Sequence, residues 1–158
     1  SYLHNCADFN FELGKVDVAI ELSQDAVKIK KKLLGPLHGD YASSLSMLAH
    51  YYSNIGNVSE AIKLKLKVVE ICKYFYGETH SIYANALSAL SLEYFTQGDS
   101  QLALKYNMEA LKIREKVFGP DHPDCAISLT NIASVYSSMG EYDKSIEYLQ
   151  KMKRTHRF

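Results

Sequence analysis

An all-α solenoid of about four helical hairpins is the fold class this sequence predicts, on three observations. The stretch from Gly119 to Gly140, GPDHPDCAISLTNIASVYSSMG, has near-copies 42 residues apart: GETHSIYANALSALSLEYFTQG from Gly77 to Gly98, and GPLHGDYASSLSMLAHYYSNIG from Gly35 to Gly56. Seven of the eight glycines fall in two columns, 14/56/98/140 and 35/77/119. Within each period apolar residues recur three and four positions apart, the stripe of an amphipathic helix and not the alternation of a strand. Repetition of this length marks a stack of units in which each contacts its neighbours.

Taken in order, each unit begins with a helix A. Its stripe reads Leu3, Cys6, Ala7, Asn10 in the first, shortened copy, then Leu45, Leu48, Ala49, Tyr52; Leu87, Leu90, Ser91, Tyr94; and Leu129, Ile132, Ala133, Tyr136. Helix A stops near Gly14, Gly56, Gly98 or Gly140, where glycine adopts a left-handed conformation without a Cβ clash. Helix B follows a short polar turn. About five positions after the glycine it carries a small residue, Ala19, Ala61, Ala103 or Ser145, opposite Ala7, Ala49, Ser91 or Ala133 on helix A. Small side chains in both places let the helices of a hairpin approach closely. The B stripe continues through Leu22, Ala26, Val27, Ile29; Leu64, Val68, Val69, Ile71; and Tyr106, Ala110, Leu111, Ile113. It closes on Leu33-Leu34, Phe75-Tyr76 and Val117-Phe118, each just before a glycine. Pro36, Pro120 and Pro123 in the links suit a turn or a first helical position.

These boundaries give one array over residues 1–158, with repeats at about 1–35 (truncated at its start), 36–77, 78–119 and 120–158. The chain opens on Ser1 partway through a helix A, so it reads as a piece of a longer protein. The last B helix loses its pattern after Leu149 and runs out in KMKRTHRF. Neither end carries a polar capping helix, which predicts end-to-end self-association as one way of covering the terminal faces.

Composition narrows the partner. Eighteen Lys and Arg balance eighteen Asp and Glu, giving no global electrostatic reason to expect nucleic acid or an anionic membrane. Charge is uneven locally: residues 1–27 hold Asp8, Glu12, Asp17, Glu21 and Asp25 against Lys15, while Lys151, Lys153, Arg154 and Arg157 close the chain. The latter cluster and Lys30-Lys31-Lys32 are read as solvated helix ends, where cations complement the carbonyl dipole. Cys6, Cys72 and Cys125 show no CxxC spacing and cannot all pair, which fits a reducing, cytoplasmic setting and burial as small apolar residues. No apolar run approaches the roughly 20 residues of a membrane span.

The pattern LxxLAxxYxxxGxxxxA, full or nearly so at 45–61, 87–103 and 129–145, resembles the tetratricopeptide repeat. With GPDHPDCAISLTNIASVYSSMGEYDKSIEYLQK at 119–151, it is similar to the 42-residue variant of kinesin light chains. The resemblance implies a right-handed α–α superhelix whose A helices line a concave groove. It also implies that a bound peptide contacts A-helix positions three and four apart. Those columns are Ser43, Asn85 and Ile127; Asn5, Met47, Ala89 and Asn131; Asp8, His50, Leu92 and Ser134; and Glu12, Asn54, Thr96 and Ser138, with His4, Ser46, Ser88 and Thr130 beside them. Amide and hydroxyl groups there can hold the backbone of an extended peptide. The asparagine of the family's L-N-N-L-A motif matches Asn131 and Asn5, whereas Met47 and Ala89 depart from it. No Lys or Arg stands in these columns, which argues against acidic or carboxylate-terminated ligands and for a mixed apolar or somewhat basic peptide. On helix B, Ser23, Lys65 and Asn107 replace the family's large apolar residue. Lys65 and Asn107 reach either the groove margin or, the preferred reading, water along an apolar stem.

Nothing here points to catalysis. There is no P-loop, no GxGxxG after a strand, no HExxH and no GxSxG, and no cofactor or metal is expected. His38, His80 and His122 recur in G-x-x-H, yet equivalent atoms of successive units lie on the order of 10 Å apart, too far to share an ion bound at about 2 Å. They are expected to bond the backbone of the link or the start of helix A. The sequence therefore reads as a non-catalytic module holding a peptide of a partner protein in its groove. The alternatives are a spacer or self-assembly segment, or the regulatory arm of a larger protein.

Overall fold

The computed structural model describes residues 2–155, and among them every regular element is a helix. The chain divides into two compact units, Ser1–Phe75 and Tyr76–Phe158. The first contains α1 (Tyr2–Glu12), α2 (Val16–Leu34), α3 (Gly39–Asn54) and α4 (Val58–Tyr76), the last of these reaching the unit boundary. The second contains α5 (Ser81–Gln97), α6 (Ser100–Phe118), α7 (Pro123–Ser138) and α8 (Tyr142–Thr155). Odd-numbered helices are the A helices and even-numbered ones the B helices, as the periodicity predicts. Arg157, part of the terminal basic cluster, lies outside the described residues.

Each A helix ends in the same way. The residue after the glycine donates its N–H back five residues, from Lys15 to Asn10, Asn57 to Tyr52, Asp99 to Tyr94 and Glu141 to Tyr136, all at 2.9 Å. The glycine itself bonds three residues back, as in the closure that satisfies the last carbonyls of a helix. That geometry requires a left-handed residue, and Gly98 supplies it with φ 94° and ψ 4°. B helices end differently. Gly119 has φ 86° and ψ 158°, a region open essentially to glycine alone.

The link then starts the next A helix through its histidine. His38, His80 and His122 sit in extended conformation at the N-caps of α3, α5 and α7. Their Nδ1 atoms accept from the backbone N–H of Asp40 (3.1 Å), Ile82 (3.1 Å) and Asp124 (3.2 Å). The rings also pack on aromatic residues, His38 on Phe75, His80 on Tyr76 and His122 on Phe118. The repeated histidine is a helix cap, filling the acceptor role usually taken by Ser, Thr, Asp or Asn.

Close approach within hairpins follows from the small residues. Ala7, Ala19, Ala49, Ala61, Ala103 and Ala133 are buried. Where serine stands in these columns, its hydroxyl donates across the hairpin: Ser91 Oγ to the carbonyl of Ala103 at 2.8 Å, and Ser145 Oγ to that of Ala133 at 2.9 Å. Around this seam the second unit packs Leu104, Leu111, Cys125, Leu129, Ile132, Val135 and Tyr136, with Tyr94 stacked on Tyr106 and Tyr136 on Tyr148. The first unit buries Tyr41, Tyr51, Leu45, Leu48 and Ile71. Cys6, Cys72 and Cys125 are free thiols; the latter two are buried, and burial raises both of their pKa values.

Added methyl groups at Gly98 or Gly119 would meet no atom within 4 Å, so any loss on substitution comes from backbone conformation alone. Gly98→Ala is expected to destabilise by about 1 kcal/mol and Gly98→Asn by less, since asparagine tolerates the left-handed region. Gly119→Ala is expected to cost about 2 kcal/mol or more. Urea unfolding of the three variants checks the ranking.

Candidate functional site

The predicted columns lie on two panels, one in each unit. On the first, Asn5, Asp8 and Glu12 of α1 and Ser43, His50 and Asn54 of α3 are exposed, and Met47 is half-buried against a core of Ala7, Ala19 and Tyr51. On the second, Asn85, Leu92 and Thr96 of α5 and Ile127, Ser134 and Ser138 of α7 are exposed, while Asn131 is half-buried. Leu92 and Ile127 retain 58% and 54% of their accessible surface, more than an aliphatic side chain keeps when it contributes to a core.

Hydrogen bonding gives these groups directions. The hydroxyls of Ser43, Thr96, Thr130 and Ser134 donate to their own helix four residues back, at 2.9–3.2 Å, and Ser138 donates to Val135 at 2.7 Å. The protons of Ser43, Thr96, Ser134 and Ser138 are committed, so these hydroxyls offer lone pairs outward, whereas Thr130 Oγ1 also lies 3.2 Å from Met152 Sδ on α8. Asn54 donates its amide to the carbonyl of His50 at 2.8 Å and likewise leaves oxygen free. Asp8 is partly engaged, accepting from the Tyr51 hydroxyl at 2.6 Å.

Two residues of α6 complete the second panel: Asn107, for which the sequence left a groove-margin position as the second alternative, and Arg114, which it did not single out. Asn107 is only 3% exposed and lines a cavity of about 230 Å³ together with Ser91, Leu92, Phe95, Asn131, Ser134 and Val135. Its Oδ1 is buried without a partner. The preferred expectation that Asn107 snorkels to water is therefore overturned. Its short side chain, on the stripe that runs Ala103, Asn107, Ala110, has no stem with which to leave a seam this close. Lys65, at the same position of α4, is half-buried.

The second residue is Arg114, 6% exposed on the same stripe. Its guanidinium donates to Ser128 Oγ at 2.6 Å and to the Asp124 carbonyl at 3.3 Å on α7, and to Asn85 Oδ1 at 2.8 Å on α5. Nε has no partner. Burial lowers the guanidinium pKa, and the nearby Asp124 offsets part of that effect. A charged residue on the stripe 103/107/110/114 was visible in the sequence. Without the fold, nothing distinguished it from the solvated lysines of the same helix.

The structure thus gathers Leu92, Asn131 and Ser134 around one cavity and joins Asn85 to Arg114, which do not line it. Ile127, Thr96 and Ser138 do not line that cavity. What the panel offers chemically is an apolar recess with a polar rim, suited to non-covalent recognition. Among the described residues no group of three His, Cys, Asp or Glu side chains is placed to hold a metal ion, and no helix is long and apolar enough to cross a membrane.

The tetratricopeptide repeat family profile matches residues 1–74, 54–116 and 94–152. No curated protein matches the chain. Among solved structures, the kinesin light chain nearly identical TPR-like repeats of Podosopora anserina superpose with a TM-score of 0.85 at 26% identity, over 99% of this chain and 76% of that one. BtubC (BKLC) from P. vanneervenii gives a TM-score of 0.87 at 21% identity, over 97% of this chain and 61% of that one. This second similarity establishes the fold alone. The all-α repeat solenoid expected from the sequence is the fold of these structures.

The Tyr51–Asp8 contact makes stability depend on pH. Burial first, and then the Asp8 hydrogen bond and charge, raise the Tyr51 pKa far above that of a free phenol; in the second unit Tyr83 is raised likewise, by burial and then by Glu109 at 2.9 Å. The native state holds these protons more tightly than the unfolded chain, whose phenols titrate near about pH 10. Their contribution is full below that pH and is lost as pH rises toward the folded values. Urea midpoints should therefore fall above about pH 10, and fall less steeply in Tyr51→Phe and Tyr83→Phe.

Proposed function

The chain belongs to the tetratricopeptide repeat family, and from that premise we propose that it is a non-catalytic module that captures an extended segment of a partner protein against its A-helix faces. Repeats of this family generally mediate protein–protein interaction. The observation that carries the reading is the second panel. Leu92, Phe95 and Val135 form the apolar wall of a cavity of about 230 Å³, large enough for one side chain of a ligand, and Asn131 and Ser134 supply its polar rim. Exposed Leu92 and Ile127 give apolar area that a bound segment would remove from water, while the rim fixes register. Affinity of micromolar order, roughly −8 kcal/mol, is expected for a short segment. Residues Asn5, Asp8, Glu12, Ser43, Met47, His50 and Asn54 form the corresponding panel of the first unit. We take residues 1–35, 36–77, 78–119 and 120–158 as successive repeats of one array, the first of them truncated at its start, acting inside the cell.

Selection of a random linear-peptide display library on the chain tests this. Enriched peptides should bind Leu92→Ser/Asn131→Ala about tenfold or more weakly, with the thermal midpoint little changed because both side chains are at least partly exposed. Lys112→Ala, on the exposed side of α6, should bind normally. Absence of enriched peptides, or equal binding by the double variant, would sink the reading.

End-to-end association is a second reading, favoured by α8, where Tyr142, Ile146 and Leu149 share one face and keep 65%, 52% and 37% of their surface. It predicts a dimer or longer species in sedimentation at low and high salt that Ile146→Glu disperses; a monomer at both salt concentrations would discard it.

A further inference from the structure

Resting on the capture reading, we infer that Arg114 is a positioning residue that turns the Asn85 amide so that its NH₂ faces the ligand, making this point of the groove a reader of a backbone carbonyl. A guanidinium carries donors only. The 2.8 Å contact from Arg114 Nη2 therefore fixes which end of the Asn85 amide points inward: the oxygen is turned to the arginine, and Nδ2 is left on the exposed face of α5. The arginine cannot easily let go. It is 6% exposed and held from the other side by Ser128 and the Asp124 carbonyl, so its fork spans α5 and α7.

The rest of the panel gives this orientation a meaning. Thr96, Ser134 and Ser138 have spent their protons on their own helices and present lone pairs. Asn54, in the first unit, is held in the opposite sense and presents its oxygen. Asn85 is thus a donor of fixed direction beside hydroxyls that present acceptors, and the buried cation behind it polarises the amide and strengthens that donor. An extended segment carries carbonyls and N–H groups in alternation. It would place a carbonyl on Asn85 and turn its N–H groups toward the hydroxyl rim, so the pair sets the register of the bound chain.

Asn85→Asp provides the sharpest test. It keeps the bond to Arg114, adds an ion pair, and replaces the outward donor with an acceptor. Anisotropy titration of a fluorescein-labelled peptide from the display selection should show affinity reduced about tenfold or more, with the thermal midpoint unchanged or raised. Arg114→Met leaves Asn85 in place but unheld; it should lose affinity to a similar extent, with Asn85→Ala in that background adding little, and Arg114→Lys should recover part of the loss. The ligand-free readout is NMR relaxation of the Asn85 side-chain ¹⁵N, ordered in the wild type and freed in Arg114→Met. Binding by Asn85→Asp within about twofold of wild type, losses that multiply in the double variant, or an amide equally mobile with and without the arginine would each overturn the positioning role. Failure of any peptide to enrich removes the capture reading instead, a result the amide measurement does not depend on.

Discussion

The close seam between the two helices of each hairpin is the constraint on which the other features depend. A helix pair separated by residues as small as Ala7 and Ala19, or Ser91 and Ala103, leaves no room for a side chain between backbones, and these positions are buried accordingly. The two serine substitutions obey the constraint chemically. A hydroxyl at the seam has no water to bond, so Ser91 and Ser145 each donate to the carbonyl facing them, 12 residues away in sequence. A larger or unpaired polar group in either column would separate the helices and expose the apolar layer on both sides.

Because the seam is narrow, residues on the inner stripe of helix B reach between neighbouring A helices. In the second unit that stripe is Ala103, Asn107, Ala110 and Arg114, so the wall presented by α5 and α7 has its floor supplied by α6. The chemistry of this face is therefore divided. The A helices provide exposed apolar area and outward lone pairs, and the B helix decides what lies behind them. Burying Asn107 and Arg114 carries a desolvation penalty, met in part by Asn85, Ser128 and the Asp124 carbonyl. Asn107 Oδ1 and Arg114 Nε remain unpartnered.

Punctuation of the array is equally physical. A left-handed glycine closes each A helix, a glycine in a region nearly closed to other residues ends α2 and α6, and a histidine nitrogen opens α3, α5 and α7. These devices are local, satisfying the orphan donors and acceptors of helix ends within a few residues of chain. That is why a 42-residue spacing can be repeated with exposed A-helix side chains free to vary, from Ser43 to Asn85 to Ile127.

Periodicity in the sequence determined the class of fold, the helix boundaries, the glycine closures, the small-residue seam and the role of the G-x-x-H histidine, because each is a short-range consequence of backbone sterics or hydrogen bonding. Helical phase also put Asn85 and Leu92 on one side of α5 and Asn131 and Ser134 on one side of α7, and the resemblance to the tetratricopeptide repeat implied that these two sides line a common surface. Tertiary structure decided the rest. Whether Asn107 turned to water or to the cavity depended on how close α5, α6 and α7 come together, a distance no residue pattern states. Arg114 looked like one more cation on a charged helix until burial and three acceptors on two other helices gave it a place. The direction of an amide or a hydroxyl is likewise set by the partner that takes its proton or holds its oxygen. For Asn85 that partner lies 29 residues along the chain, brought near only by folding.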